Sequence, residues 1–395
     1  MRARSRASRG LRRVSSVDNG TVPNRTRWVL FIVVVLLAVL LAALITTFVM
    51  LLRPEPTPVA SISSATEGMT WVSSMYGLGP SNSEQLRSPS SVAVAPNGDI
   101  YATDPTRSRV MIFAPDGSPK GTLTGAKAGV GQGEFVRPES LDIAQNGDVF
   151  IADSFAKKVI VFNRNKEYVR EYPVDQMARG VYEADGKVYV LDVGKVIVFD
   201  EASGRRLVTF GTRGKAPGQI DAYQGIAARD GVVYIADSYN KRLQAFDESG
   251  TLLWANPRVS GSVPASATIR WDLPQDLTFD GRGQLVVVDA FTFQLVVVDP
   301  KTGEPLKAYG AYGRSDGLFY YPTSIAYDRL RDWFVVADTE NNRVQVVRIP
   351  DSTGQPVQAS IWRIISSPYR YLILPALALL FAILFAAWSA WRMLL

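Results

Sequence analysis

Short apolar runs that end in aspartate recur six times along the chain, each set among alternating apolar and polar positions. Four are followed five residues later by a basic residue: Asp104 with Arg109, Asp153 with Lys158, Asp237 with Arg242, and Asp338 with Arg343. The run ending at Asp289 has Gln294 in the basic position, and the one ending at Asp192 has Lys195 only three residues on. Successive aspartates lie 49, 39, 45, 52 and 49 residues apart, a period that belongs to arrays and propellers. Each unit predicts four short strands. The first follows Pro89, Pro138, Pro274 or Pro322, and the second ends at the repeated aspartate. The third, as in RVMIF and KVIVF, sends successive side chains to alternate sides, and a turn leads to a fourth, outermost strand, as in RRLVTF or TLLWA. Asn97-Gly98, Asn146-Gly147, Asp185-Gly186, Asp230-Gly231 and Asp280-Gly281 predict type I′ hairpins between the first two strands, because these pairs tolerate positive φ.

A four-stranded meander cannot bury both of its faces alone, so neighbouring units must stack, and six of them close into a ring with few exposed edges. The sixth unit lacks an outer strand. Residues Thr70–Tyr76 are placed to supply it, so the ring closes by pairing the two ends of the domain. The segments YIADSYNKRLQAFDESG and VVADTENNRVQVVRI resemble NHL repeats, as does the G-x-F-x-x-P joint from Gly133 to Pro138. The resemblance covers residues 69–350 and implies an all-β, six-bladed propeller. It is specific as to fold and uninformative as to function.

Repetition argues that the Asp and Arg or Lys pairs are structural: an active site is seldom built four times over, whereas a turn needs its cap in every blade. The Gly129, Gly131 and Gly133 cluster lies between blades and not at a strand-to-helix turn, so it does not read as a phosphate loop.

The ends carry a second signal. Residues 28–52 form an uncharged run of 25 residues, long enough to cross a bilayer, behind a tail (residues 1–27) with eight arginines and Asp18 as its one acid. A secretory signal is the alternative, but its apolar core would span only about 7–15 residues. A second span is expected over 370–392, where the run Tyr371–Trp391 is free of charge and bounded by Arg370 and Arg392. Two spans with the first end inside put both termini in the cytoplasm and the propeller outside the plasma membrane. Linkers at 53–68, rich in proline, and 351–369 flank the ring. Ala378, Ala382, Ala386 and Ala390 recur every four residues and predict a close helix-packing stripe.

Composition narrows the chemistry. The net charge of +6 belongs to the anchors: residues 54–362 hold 31 basic against 36 acidic residues, which disfavours nucleic acid as a partner. There is no cysteine and no histidine, which excludes thiolate nucleophiles, Ser-His-Asp catalysis and His-ligated zinc. An oxygen-ligand calcium site, as in lactonase-like propellers, would draw on Glu139, Asp142 and Asp276, which come from only two blades; no cofactor is expected. The long junctions Leu78–Arg87, Gly125–Arg137, Arg213–Tyr223, Asn256–Trp271 and Ala311–Tyr321 are the natural recognition loops. The last carries Tyr312, Leu318, Phe319, Tyr320 and Tyr321, either a partner contact or packing between blades. The expected role is a membrane-anchored protein-binding or scaffolding module of the cell envelope. A second reading is a sensor that signals through a membrane partner, since the arrangement resembles the extracellular propellers of actinobacterial receptor kinases. A third is a calcium-dependent hydrolase.

Overall fold

The period-two patterning is realised as six four-stranded antiparallel sheets. The computed structural model describes residues 68–123, 131, 133–256 and 271–353, with five helical positions (34, 35, 37, 38 and 41) in the first apolar run. Apart from those five positions, both runs lie outside the described residues, as does the Ala378 to Ala390 stripe; no described helix is long and apolar enough to cross a membrane.

In chain order, β1 (Thr70–Met75) comes before the first complete blade. Blade one is β2 (Val92–Val94), β3 (Ile100–Asp104), β4 (Arg109–Phe113) and β5 (Pro119–Thr122). Blade two is β6 (Pro138–Ile143), β7 (Val149–Asp153), β8 (Lys158–Phe162) and β9 (Tyr168–Pro173). Blade three is β10 (Gly180–Ala184), β11 (Lys187–Asp192), β12 (Lys195–Asp200) and β13 (Arg206–Phe210). Blade four is β14 (Ile226–Arg229), β15 (Val232–Asp237), β16 (Arg242–Asp247) and β17 (Leu252–Asn256). Blade five is β18 (Pro274–Phe279), β19 (Leu285–Asp289), β20 (Gln294–Val298) and β21 (Pro305–Tyr309). Blade six is β22 (Pro322–Asp328), β23 (Trp333–Asp338) and β24 (Arg343–Arg348), with β1 as its outer strand. Thr70 faces Arg348 and Met75 faces Val344 across that closing pair.

Two middle strands per blade read as near-continuous apolar runs because both of their faces are buried. In β7, Val149 and Ile151 join the core shared with blade one, while Phe150 and Ala152 join the core shared with blade three. The same division repeats around the ring, so each interface between neighbouring blades holds its own cluster. Blade six packs on blade one through Val335, Ala337, Val344 and Val346 against Ile100, Ala102, Met111 and Phe113.

The turns depart from expectation at three places. Asp185-Gly186 and Asp230-Gly231 both have positive φ at each residue, as a type I′ turn requires. At Asn97-Gly98 and Asn146-Gly147 only the glycine is left-handed (φ +86° and +90°). There the Gly98 N–H donates to Ala95 O at 2.7 Å and the Ala95 N–H to Asp99 O at 2.8 Å, a three-residue loop closed by a bulge. The Asn97 carbonyl oxygen accepts the Asp99 N–H (3.0 Å), which is why asparagine suits the position without adopting positive φ. At Asp280-Gly281 the left-handed residue is Gly283, and Asp280 accepts the N–H groups of Arg282 and Gln284.

These hairpins define one face of the ring, the hairpin face. Both ends of the domain leave there side by side: a Cβ on Gly68 would lie 2.9 Å from Pro350 Cγ. The opposite face, where the chain passes from blade to blade, is the junction face. It carries the repeated aspartates.

Candidate functional site

The repeated aspartate fastens the junction face. Asp237 accepts the Nε–H of Arg242 (2.7 Å), the side-chain amides of Asn240 and Gln244, and the N–H of Asp221 on the incoming junction. Arg242 then donates to the carbonyls of Lys215, Ala216 and Gln219. Arg343 repeats the pattern, binding Asp338 (2.8 Å) and the carbonyls of Ser315 and Leu318; Arg109 binds Asp104 (2.9 Å) and the carbonyls of Ser83 and Gln85. The pair therefore does more than cap its own blade. It staples the preceding junction. In blade two Lys158 places its ammonium on Glu171 (2.7 Å), and Asp153 is held by the N–H groups of Val136, Arg137, Phe155 and Ala156. Asp289, beside Gln294, likewise collects four backbone amides. Much of the Gly125–Arg137 and Asn256–Trp271 junctions, which enter these two blades, lies outside the described residues.

The inner strands line a central channel in layers. Nearest the junction face stand Ser90, Glu139, Arg179, Gln224, Gln275 and Thr323, one from each blade. Gln224 reaches across the axis, and its amide donates to the carbonyls of Ser90 (2.9 Å) and Thr323 (2.7 Å). It closes this end of the channel. Glu139 turns to Arg137, 2.7 Å away, and so leaves the trio expected to hold calcium. A bulge between Pro138 and Ser140 takes Glu139 out of the alternation that carries Asp142.

Asp142 and Asp276 do share a cavity of about 220 Å³ that opens toward the hairpin face, with Tyr182, Phe279 and Arg329 in its wall. Asp276 accepts the Ser324 hydroxyl (2.6 Å) and the Ile325 N–H (3.2 Å), and Asp142 accepts the Glu183 N–H (2.7 Å). Burial in the channel pushes the Asp276 carboxyl up to about 7, with the negative charge of Asp142 adding to it, and pushes Asp142 up to about 6. Glu183, in the adjoining cavity of about 300 Å³, is raised to about 7 by burial and by the nearby Glu201. Among the described residues no three carboxylates converge as a metal-binding cluster.

The expected partner residues separate. Phe319 is fully buried in the core between blades five and six, and Leu318, Tyr320 and Tyr321 are half-buried, while Tyr312 is 58 % exposed. Tyr312 packs edge-on against Phe293 (5.0 Å) and Tyr320 (5.3 Å), and the Arg314 guanidinium lies over Tyr320 at 5.8 Å. Sequence reasoning missed a second aromatic set. Phe155, Tyr239 and Phe291 each stand two residues after a repeated aspartate, and all are exposed on the junction face. An alignment of the six units on that aspartate exposes this regularity.

The molecule is a six-bladed β-propeller, and its repeats are similar to NHL repeats. A family described as a 6-bladed beta-propeller matches residues 81–196, and one described as outer membrane protein assembly factor BamB matches residues 166–317. NHL repeat-containing protein 3 of Homo sapiens is 26% identical over 197 residues, 45% of this chain and 54% of its own length. The chain thus spans about half the length of that curated relative. An auxiliary nutrient binding protein from Bacteroides ovatus has a TM-score of 0.52 at 16% identity, covering 71% of this chain and 76% of its own. A protein of unknown function from Bacteroides thetaiotaomicron has a TM-score of 0.52 at 15% identity, covering 68% of this chain and 71% of its own. At such identities these structures share the fold alone.

Proposed function

We propose that the chain is a membrane-anchored, extracytoplasmic propeller that holds a protein partner of a cell-envelope assembly on the rim of its junction face. The observation that carries this reading is the stapled Ala311–Tyr321 junction: Arg343 fixes its backbone from below, and Tyr312 stands exposed on it beside Phe293, Tyr320 and Arg314. A rigid, solvent-facing aromatic and arginine cluster is the composition that interface centres favour. Phe293 also holds a left-handed backbone (φ +60°), uncommon for a bulky residue, at the position where other blades place Ser108, Lys157, Lys241 or Asn342. Anchoring is supported by the uncharged runs at 28–52 and 370–392 and by the arginine-rich tail. The sensor reading draws on the channel instead, where burial moves Asp276, Asp142 and Glu183 out of the ordinary carboxylate range and toward neutrality.

Two measurements test the proposal. Protease added to intact cells should cut the linker at residues 53–68; protection until lysis would refute the external placement. A photo-crosslinking residue at Tyr312 should yield a discrete adduct with one protein, whereas the same residue at Leu207, exposed on an outer strand, should not. Equal or absent adducts at both sites would count against the rim as the partner surface.

A further inference from the structure

The centre of the junction face carries features that the partner rim leaves unused. Seven buried polar side-chain atoms lack a partner among the described residues, and four of them gather at this mouth: Gln224 Oε1, Gln275 Oε1, Arg179 Nε and Ser154 Oγ. Gln224 and Gln275 are 2% and 3% exposed. Because both N–H groups of the Gln224 amide are engaged across the axis, its oxygen lies within the mouth with no donor. Buried acceptors are costly to leave unmade, and few survive in folded proteins without a reason.

Around these atoms stand large aromatic rings in water. Phe155, Tyr239 and Phe291 are 57%, 55% and 51% exposed, at equivalent positions of blades two, four and five. Tyr321 packs on Phe291 with ring centroids 5.6 Å apart. Arginines back two of the rings: Arg137 lies over Phe155 at 5.3 Å and Arg179 over Tyr223 at 5.6 Å. Tyr223 ties the group together. Burial pushes its hydroxyl up to about 12, with Glu139 and Tyr239 close enough to add to the shift and Arg137 and Arg179 close enough to oppose it.

We propose that this mouth binds an oligosaccharide, at a site separate from the protein-binding rim. Sugar hydroxyls both donate and accept. They can satisfy the Gln224 and Gln275 oxygens and the Arg179 Nε–H at once, which a purely donating or accepting ligand cannot do. The C–H faces of sugar rings are apolar plates that cover exposed aromatic rings. Charges of both signs surround the site, and Glu139 is already paired with Arg137, so the mouth asks for no net charge in its ligand and an uncharged sugar fits best. Water alone would satisfy the polar atoms, but it gives three equivalent aromatic rings no reason to face solvent.

The test uses the full chain in a detergent without a sugar headgroup, with hexasaccharides of glucose, mannose, arabinose and N-acetylglucosamine as probes. Saturation-transfer NMR should show contact between protein aromatic protons and the ring C–H protons of at least one probe. Tyr239→Ala and Phe291→Ala should each weaken that binding about tenfold, a change of about 1.4 kcal/mol, and Tyr312→Ala should leave it unchanged. Because the substituted rings are exposed, melting curves of these variants should match the parent and confirm folding. Gln275→Leu, which removes the acceptor while keeping most of the volume, should also weaken binding. Failure of all four probes at millimolar concentration would overturn the assignment, as would binding that survives loss of both Tyr239 and Phe291. Neither failure touches the crosslink expected at Tyr312.

Discussion

Deletion of residues 69–76 will turn a monodisperse protein into one that aggregates on purification. β1 is the outer strand of blade six, paired with β24 through five registered positions from Thr70 with Arg348 to Met75 with Val344. Removing it bares the edge of β24, whose sequence RVQVVR carries three valines and is buried along nearly its whole length. An exposed, flat, apolar edge is a template for pairing with another chain. Met75, 3% exposed, also fills the core between blades six and one, and truncating a buried methionine costs about 2–5 kcal/mol. Size-exclusion chromatography with light scattering is the measurement. A deleted protein that stays monodisperse and melts with the parent would show that the ring does not depend on this strand. Met75→Ala separates the two effects: it should lower the melting temperature while leaving the edge covered and the protein soluble.

Most of the ring could be read from residue order because the forces that make it are local or periodic. The repeated Asp marked the end of each second strand, and the apolar run that follows marked the third. The missing outer strand of blade six pointed to the N-terminal segment that pairs there. Turn type was legible only in part. Asp-Gly at 185–186 and 230–231 adopts the expected turn. The asparagine at 97 and 146 instead bonds its own backbone two residues on, and the loop closes through a single left-handed glycine. Dipeptide identity alone does not decide between these outcomes.

The site was harder to read because its contacts are long-range. Gln224 meets Ser90 across 134 residues and Thr323 across 99, and no local pattern encodes that bridge. The bulge at Glu139 breaks the alternation, so strand parity could not have separated Glu139 from Asp142 in advance. Nor could parity have joined Asp142 to Asp276, which depends on blades two and five facing one channel. Phe319 was grouped with Tyr312 by proximity in sequence, yet it bridges back to Tyr312 and turns into the core, being the one ring of the loop with no hydroxyl to keep in water. The exposed aromatics two residues after Asp153, Asp237 and Asp289 were within reach of an alignment of the repeats. Their meaning was not, since only the fold sets them above the unpaired amide oxygens of Gln224 and Gln275.

Stability of this protein should fall as pH rises from 5 to 8, the reverse of the acid-denaturation habit, and Asp276→Asn should flatten the fall. The sign follows from the direction in which burial moves the carboxyl. An acid raised to about 7 in the folded state keeps its proton there after the unfolded chain has lost it. The native state thus binds more protons across that window, so the stabilisation is complete below the unfolded value and is lost as pH climbs through the folded one. Each tenfold gain in proton affinity on folding is worth about 1.4 kcal/mol, so Asp276 alone supplies an effect of a few kcal/mol. Asp142, raised to about 6, and Glu183, raised to about 7, act in the same direction. Asparagine mimics the protonated acid: its carbonyl oxygen can still accept from Ser324 and Ile325 without carrying charge beside Asp142. The variant's melting temperature should therefore exceed the parent's by clearly more at pH 8 than at pH 5, at roughly 2–4 °C per kcal/mol for a domain of this size. The same curves taken with millimolar calcium and with chelator separate a titrating channel from a metal site. A ligand bound only by the folded state adds about 2.7 kcal/mol at a hundredfold excess over its Kd. We expect the two sets to coincide. A calcium-dependent rise at pH 8 that Asp276→Asn abolishes would assign the channel to a cation, and a variant melting below the parent at pH 8 would falsify the reading of Asp276 as a strained acid.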